Sequence, residues 1–284
     1  QEYLDTPQKK IVETLLRDWN LKNDFSYYPN PKHKIKFGSN YVFHKFNPTS
    51  FSGSYDNLDL EQIINYYAHE YGVYVNDEFD VNDRLLLNFG LRYSGFTQVG
   101  PFERQVKDNS GQIGQVSTDT TIIYGKGEIV EMYGGFEPRF SLRYLFNESS
   151  SLKFGFIQNY QYLHLTSVAS SSLPTDVWLP SSDVVQPQFG RQISLGYFKN
   201  FSDNTYETSF ELYYKKMKNL VEYNEGYMPG VSIGLDNIDN NLTFGDGKSY
   251  GFEIFSAKRR GNLNGWVGYT YSKTTRQFDN LNNG

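Results

Sequence analysis

The sequence contains no cysteine. That absence removes disulfide scaffolds, thiolate metal sites and cysteine nucleophiles together. A basic excess is also missing. Lys plus Arg is 27 against 32 Asp plus Glu, for a formal net charge of -5. Nucleic-acid binders normally carry a basic face, so this balance argues against a nucleic-acid partner. No run approaches the roughly 18 apolar residues of a membrane-spanning helix. No charged segment followed by an apolar core opens the chain, so no signal peptide is expected within it. Histidine is scarce. His33, His44, His69 and His164 fall on separate strands or strand ends, with no HExxH pattern, no ligand-spaced pair and no phosphate-binding glycine loop. Neither a metal nor a cofactor is expected. His164 lies near Ser167 and Ser170 in sequence, but a strand-end histidine beside loop serines is weak ground for catalysis, and no catalytic residue is assigned.

Aromatic residues are abundant. Tyr (24), Phe (22) and Trp (3) make 17% of the chain while hydrophobic residues of all kinds reach only 38%. A soluble globular protein so rich in rings would usually hold more aliphatic residues. The rings fall into period-two patterns, the signature of strands with two unlike faces. Leu85, Leu87, Phe89, Leu91 and Tyr93 alternate with Arg84, Asn88, Gly90 and Arg92. Phe136, Pro138, Phe140, Leu142 and Tyr144 alternate with Glu137, Arg139, Ser141 and Arg143. Similar runs recur along the chain and predict about ten strands, most of ten or more residues. Ordinary strands have about 5–6 residues, whereas a membrane-crossing strand needs about 9–11. Short turns near residues 29–32, 80–83, 147–151, 200–205 and 259–262 alternate with long connections over 47–64, 97–130, 166–187 and 219–247. Short turns on one rim and long loops on the other fit an outer-membrane barrel. The fold class expected is therefore all-β: an antiparallel meander forming part of a large transmembrane β-barrel.

The two faces then acquire roles. Leu87, Phe89, Phe140, Leu142, Phe156, Leu195, Phe210, Phe252 and Val267 are expected to meet lipid. Charges on the lipid face would cost about 2–4 kcal/mol each at the midplane. Arg92, Arg139, Arg143, Glu207, Glu211 and Glu253 are therefore expected to face the lumen. Register follows from the alternation. Across the turn at Asn147, Tyr144 is expected opposite Phe154 and Leu142 opposite Phe156. Across 259–262, Ile254 is expected opposite Val267 and Phe252 opposite Tyr269. In the long loops, Asp176, Trp178, Asp183, Tyr223 and Tyr227 are the candidate ligand contacts, since exposed loops on a rigid scaffold carry recognition.

Five segments resemble the barrel strands of TonB-dependent outer-membrane receptors. YGVYVNDEFDVNDRLLLNFGLRY, from Tyr71 to Tyr93, is similar to that family's Y-x-Q-D-x-W strand, short turn and L-x-L-x-x-G-x-R-Y strand. Asn76 and Phe79 stand where Gln and Trp are commoner. Glu137 to Arg143 resembles the family's x-P-R-x-S-x-x-Y strand. LPTDVWLP, QPQFGRQISLGYFKNF and GKSYGFEIFSAKRRGNLNGWVGYTYSKTTRQF resemble its Bacteroidetes branch. The resemblance implies a bacterial outer-membrane location and active uptake of a scarce solute such as an iron chelate, cobalamin, a glycan or a peptide. It also implies a plug domain filling the barrel, the inner-membrane partner TonB, and a surface lipoprotein as a further candidate partner. Neither plug nor TonB box is legible in residues 1–284, and the family barrel has more strands than are counted here, so the chain reads as an internal piece of such a barrel. A passive porin-like channel and a structural or adhesive surface barrel are the alternatives.

Overall fold

The computed structural model describes residues 10–55, 58–63, 65–107, 118–166, 177–225, 227, 237–278 and 281. Strands are β1 Lys10–Asn30, β2 His33–Tyr55, β3 Leu58–Ile63, β4 Tyr66–Asn82, β5 Leu85–Val99, β6 Phe102–Lys107, β7 Thr118–Tyr124 and β8 Ile129–Asn147. Then follow β9 Ser150–Gln161, β10 Leu163–Thr166, β11 Val177–Pro180, β12 Gln188–Phe201, β13 Tyr206–Tyr223, β14 Leu242–Lys258 and β15 Gly265–Phe278. One sheet runs in the order β1-β2-β4-β5-β8-β9-β12-β13-β14-β15, with β3 added to β2. Each neighbouring pair is antiparallel. The expected ten-stranded meander is thus the observed one. The long connections hold structure of their own: the ribbons β6–β7 and β10–β11, and a 3-10 turn at Ile238–Asn241.

Register joins like to like. Leu87 stands opposite Leu142, Phe89 opposite Phe140 and Tyr93 opposite Phe136. None of the nine residues expected to meet lipid is buried; Phe89 is 46% and Val267 71% exposed. Among the described residues no second sheet covers this face, which suits it to the hydrocarbon of a membrane.

Two expected registers are corrected. Tyr144 pairs with Leu152 and Leu142 with Phe154, while Ile254 pairs with Tyr269 and Phe252 with Tyr271. In both hairpins the shift is by two positions. Alternation specifies only which face a residue takes, and a two-residue slip preserves faces. Turn geometry sets the remainder: Asn147 accepts from the Ser149 N–H at 3.0 Å and the Ser150 hydroxyl at 2.9 Å, closing a tighter turn than expected.

Rings fill gaps left by glycine. Gly95 lies opposite Tyr71, and a Cβ at Gly95 would overlap the Tyr71 ring. Gly95→Ala is expected to cost about 1–3 kcal/mol through overpacking. Urea titration of the refolded receptor checks this; an unchanged midpoint would show the ring moving aside freely.

Buried apolar clusters sit at the long-loop end rather than across the sheet. One contains Phe46, Tyr66, Ala68, Phe96, Phe102 and Tyr162. The other contains Val177, Leu179, Val185, Tyr223 and Leu242.

Candidate functional site

Three long connections lock together above the sheet. Arg104, on β6, is the centre. Its side chain is 3% exposed and ion-pairs with Asp239 of the 3-10 turn at 2.8 Å and with Asp183 of the β11–β12 connection. The Ser182 hydroxyl donates to Asp239 Oδ2 at 2.9 Å. Asn237 accepts from the Gln105 N–H at 2.7 Å and donates to the Glu103 carbonyl at 3.0 Å. Tyr133 of β8 donates to the Ser182 carbonyl at 2.7 Å. A guanidinium suits this place because its fixed fork serves two carboxylates at once. His164, on β10, is buried with Nε2 3.0 Å from the Ser181 hydroxyl. Burial pushes its pKa down to about 4. Its nearby hydroxyl is thus Ser181; Ser167 and Ser170 lie outside the described residues.

The candidate contacts occupy different settings in this crown. Asp183 is 34% exposed by side chain, with a carboxylate held by Arg104. Tyr223 is 5% exposed; its hydroxyl accepts from Thr166 at 2.7 Å, and its ring lies 5.4 Å from that of Tyr227. Trp178 is 36% exposed on β11. Asp176 lies outside the described residues. Nothing in the sequence groups Arg104, Asp239 and His164. The local signal is the alternation of Phe102, Arg104 and Val106 with Glu103 and Gln105, a strand pattern inside a loop.

On the polar face of the sheet, Arg92 stands beside Glu137 in register. Glu137 is buried and accepts from the Ser94 hydroxyl at 2.8 Å, from the Tyr160 N–H at 3.2 Å and from Arg92 at 3.4 Å. The β8–β9 ladder ends at the Arg139–Ile157 pair, so Glu137 satisfies a backbone donor that the sheet has released. Arg139 Nη2 lies 3.7 Å from the same carboxylate. Arg143 stands opposite Lys153, and Glu211 opposite Glu253. Glu207 accepts from Arg259 at 2.8 Å. His44, buried on this face, lies 2.7 Å from Asp18 and 3.6 Å from Glu70. Asn20, Lys22, Lys36, Asn40, Arg92 and Arg139 line a polar groove. Among the described residues, no three His, Asp or Glu side chains gather as metal ligands.

A long-stranded wall with one lipid-type face, one polar face and a packed crown of loops defines part of a membrane β-barrel. Residues 3–284 match the family described as TonB dependent receptor-like, beta-barrel, and the chain belongs to that family. The protein is accordingly an outer-membrane protein. No curated protein matches the chain. Among solved structures, it resembles the FrpB iron transporter from Neisseria meningitidis (F3-3 variant), at 14% identity and a TM-score of 0.59 over 95% of this chain and 37% of that one. It also resembles FpvA of P. aeruginosa bound to heterologous pyoverdines, at 16% identity and a TM-score of 0.56, covering 95% and 34%. The copper transporter OprC gives 12% identity and a TM-score of 0.58, covering 96% and 40%. At such identities the likeness is one of fold. The chain spans 34–40% of the length of these three structures.

Proposed function

We propose that residues 1–284 form part of the barrel of a receptor that captures a scarce solute at the cell surface and imports it with energy delivered through TonB. The observation that carries this reading is membership of the receptor family over residues 3–284. The remaining strands and a plug domain belong to the complete receptor. The polar face, with Arg92, Arg139, Arg143, Glu207, Glu211 and Glu253, lines the lumen around that plug. Solute is an iron chelate, cobalamin, a glycan or a peptide, and no bond is made or broken in it. A surface lipoprotein is a further candidate partner.

The loop crown is the capture surface. A packed crown supports this because recognition needs side chains held in place before the ligand arrives. Asp176, Trp178, Asp183, Tyr223 and Tyr227 are the contact candidates. Trp178 suits direct contact best, being a partly exposed ring on an ordered strand. Uptake of candidate solutes by cells carrying the complete gene tests the reading. Saturable uptake that stops when the proton gradient collapses is expected; unsaturable uptake indifferent to the gradient would instead mark a passive channel. Trp178→Ala is expected to raise the half-saturating concentration about tenfold, the scale of a single aromatic anchor. Unchanged saturation would remove Trp178 from the contact surface.

A further inference from the structure

At the long-loop end of the polar face, beneath the crown, two buried side chains stand apart from the ion pairs. Asp18 of β1, His44 of β2, Ala68 of β4 and Gln98 of β5 fall in one register row. Ala68 and Gln98 are 0% exposed and His44 is 3% exposed. Both amide atoms of Gln98, and Nε2 of His44, have no hydrogen-bond partner among the described residues. Buried polar groups are normally hydrogen-bonded, because leaving them without a partner is costly. His44 Nδ1 lies 2.7 Å from Asp18, so the ring directs a proton there, and Nε2 is the atom left over, 3.6 Å from Glu70. Adjacent strands lie about 4.8 Å apart, so the backbones bearing His44 and Gln98 stand about 10 Å apart with only the Ala68 methyl group between their side chains. Rings enclose the place. Phe46 lies 5.3 Å from the His44 ring, Tyr162 lies 5.3 Å from Phe96, and Phe102 of β6 roofs Tyr66 at 5.1 Å. Ala68 packs in the same cluster.

We infer that the Gln98 amide, His44 Nε2 and Glu70 form a binding site for a hydroxyl oxygen, supplied by water or by a neutral hydroxylated solute over which the crown has closed. The donor set selects this chemistry. An anion would be repelled by Glu70 and by the Gln98 carbonyl oxygen. An ammonium group would be opposed by the Gln98 amide hydrogens. An oxygen that both donates and accepts satisfies all of these partners, and a buried water typically makes about three such bonds. The bound oxygen ties β2 to β5 directly under Phe102, so the roof of the crown rests on it. The solute as source rests on the capture role proposed above; water as source does not.

The test uses the complete receptor in detergent. A structure at a resolution that shows ordered water, with no solute added, is expected to place an oxygen within about 3.2 Å of the Gln98 amide and of His44 Nε2; that outcome assigns water. An oxygen found there only with tens of millimolar glucose present assigns a solute hydroxyl. No oxygen under either condition would overturn the inference. Hydrogen exchange over 66–70 and 102–106 gives a second readout. Gln98→Leu removes the oxygen's partners and should speed exchange about tenfold, the scale of one or two net hydrogen bonds. An amide that is merely stranded predicts the opposite sign, because leucine removes its burial cost, so slower or unchanged exchange in Gln98→Leu would also overturn the inference. Heat-dependent gel migration verifies that each barrel is assembled. Should Gln98→Leu fail to assemble, Gln98→Met is measured with the same expectation. None of these readouts involves uptake, so transport indifferent to the proton gradient would remove the capture reading while the oxygen site stands or falls by itself.

Discussion

Replacing Arg104 with alanine is expected to open the loop crown while the barrel wall stays assembled. The side chains of Arg104 and Asp239 are each only 3% exposed, so their pair is desolvated on both sides. Truncation strands Asp239 as a buried charge and frees Asp183, which ties the β11–β12 connection to the same point. Breaking a buried pair from one side costs about 3–5 kcal/mol. At about 1.4 kcal/mol per decade, the crown would open roughly two to nearly four orders of magnitude more often. Hydrogen exchange over 102–106, 181–185 and 237–241 should accelerate accordingly, while exchange in the paired strands stays slow. Arg104→Lys should fall between, because an ammonium lacks the fork that serves two carboxylates. Arg104→Met combined with Asp239→Leu should recover part of the protection, since removing both charges also removes the desolvation cost. Unchanged exchange in Arg104→Ala would mean that apolar packing alone holds the crown.

The wall was legible in the sequence and the crown was not, for a physical reason. A strand with one face in lipid must repeat its apolar side chain at every second position, and the run from Leu85 to Tyr93 does so. That constraint yields strand number and facing, and it tolerates two-residue shifts of the kind found at Asn147 and at 259–264. The crown obeys no period. Arg104 meets Asp183 and Asp239 across 79 and 135 residues of chain. A sequence rich in Gly, Ser, Asp and Asn reads as exposed loop whether its carboxylates face water or a buried guanidinium. Asp183 illustrates the ambiguity: a loop aspartate suited to ligand contact is also an anchor of the loop itself. Glu137 is intermediate. Its place on the polar face followed from alternation, but its bond to the Tyr160 N–H follows from where the β8–β9 ladder ends.

Acid is expected to loosen the same crown through His164. Its ring is buried, with one nitrogen at Ser181 and Nδ1 without a hydrogen-bond partner among the described residues. Protonation would place an uncompensated charge there, and burial accordingly lowers the pKa from 6.5 to about 4. Above pH 6.5 the imidazole is neutral in both the closed and the opened crown, and the closed form keeps its full stability. As pH falls below 6.5 the opened crown takes up a proton that the closed crown refuses. Stability is lost progressively until about pH 4, where the closed form also protonates and the loss levels off. The full interval corresponds to about 3 kcal/mol. His164→Gln retains a partner for Ser181 and removes the titration. Protease cleavage within the crown of the complete receptor should therefore rise more steeply between pH 6.5 and 4 in wild type than in His164→Gln. Every other group of the crown is the same in both proteins, so the difference between the two curves isolates the histidine. Superimposable curves would show that water reaches the ring and that the burial seen here does not persist in solution.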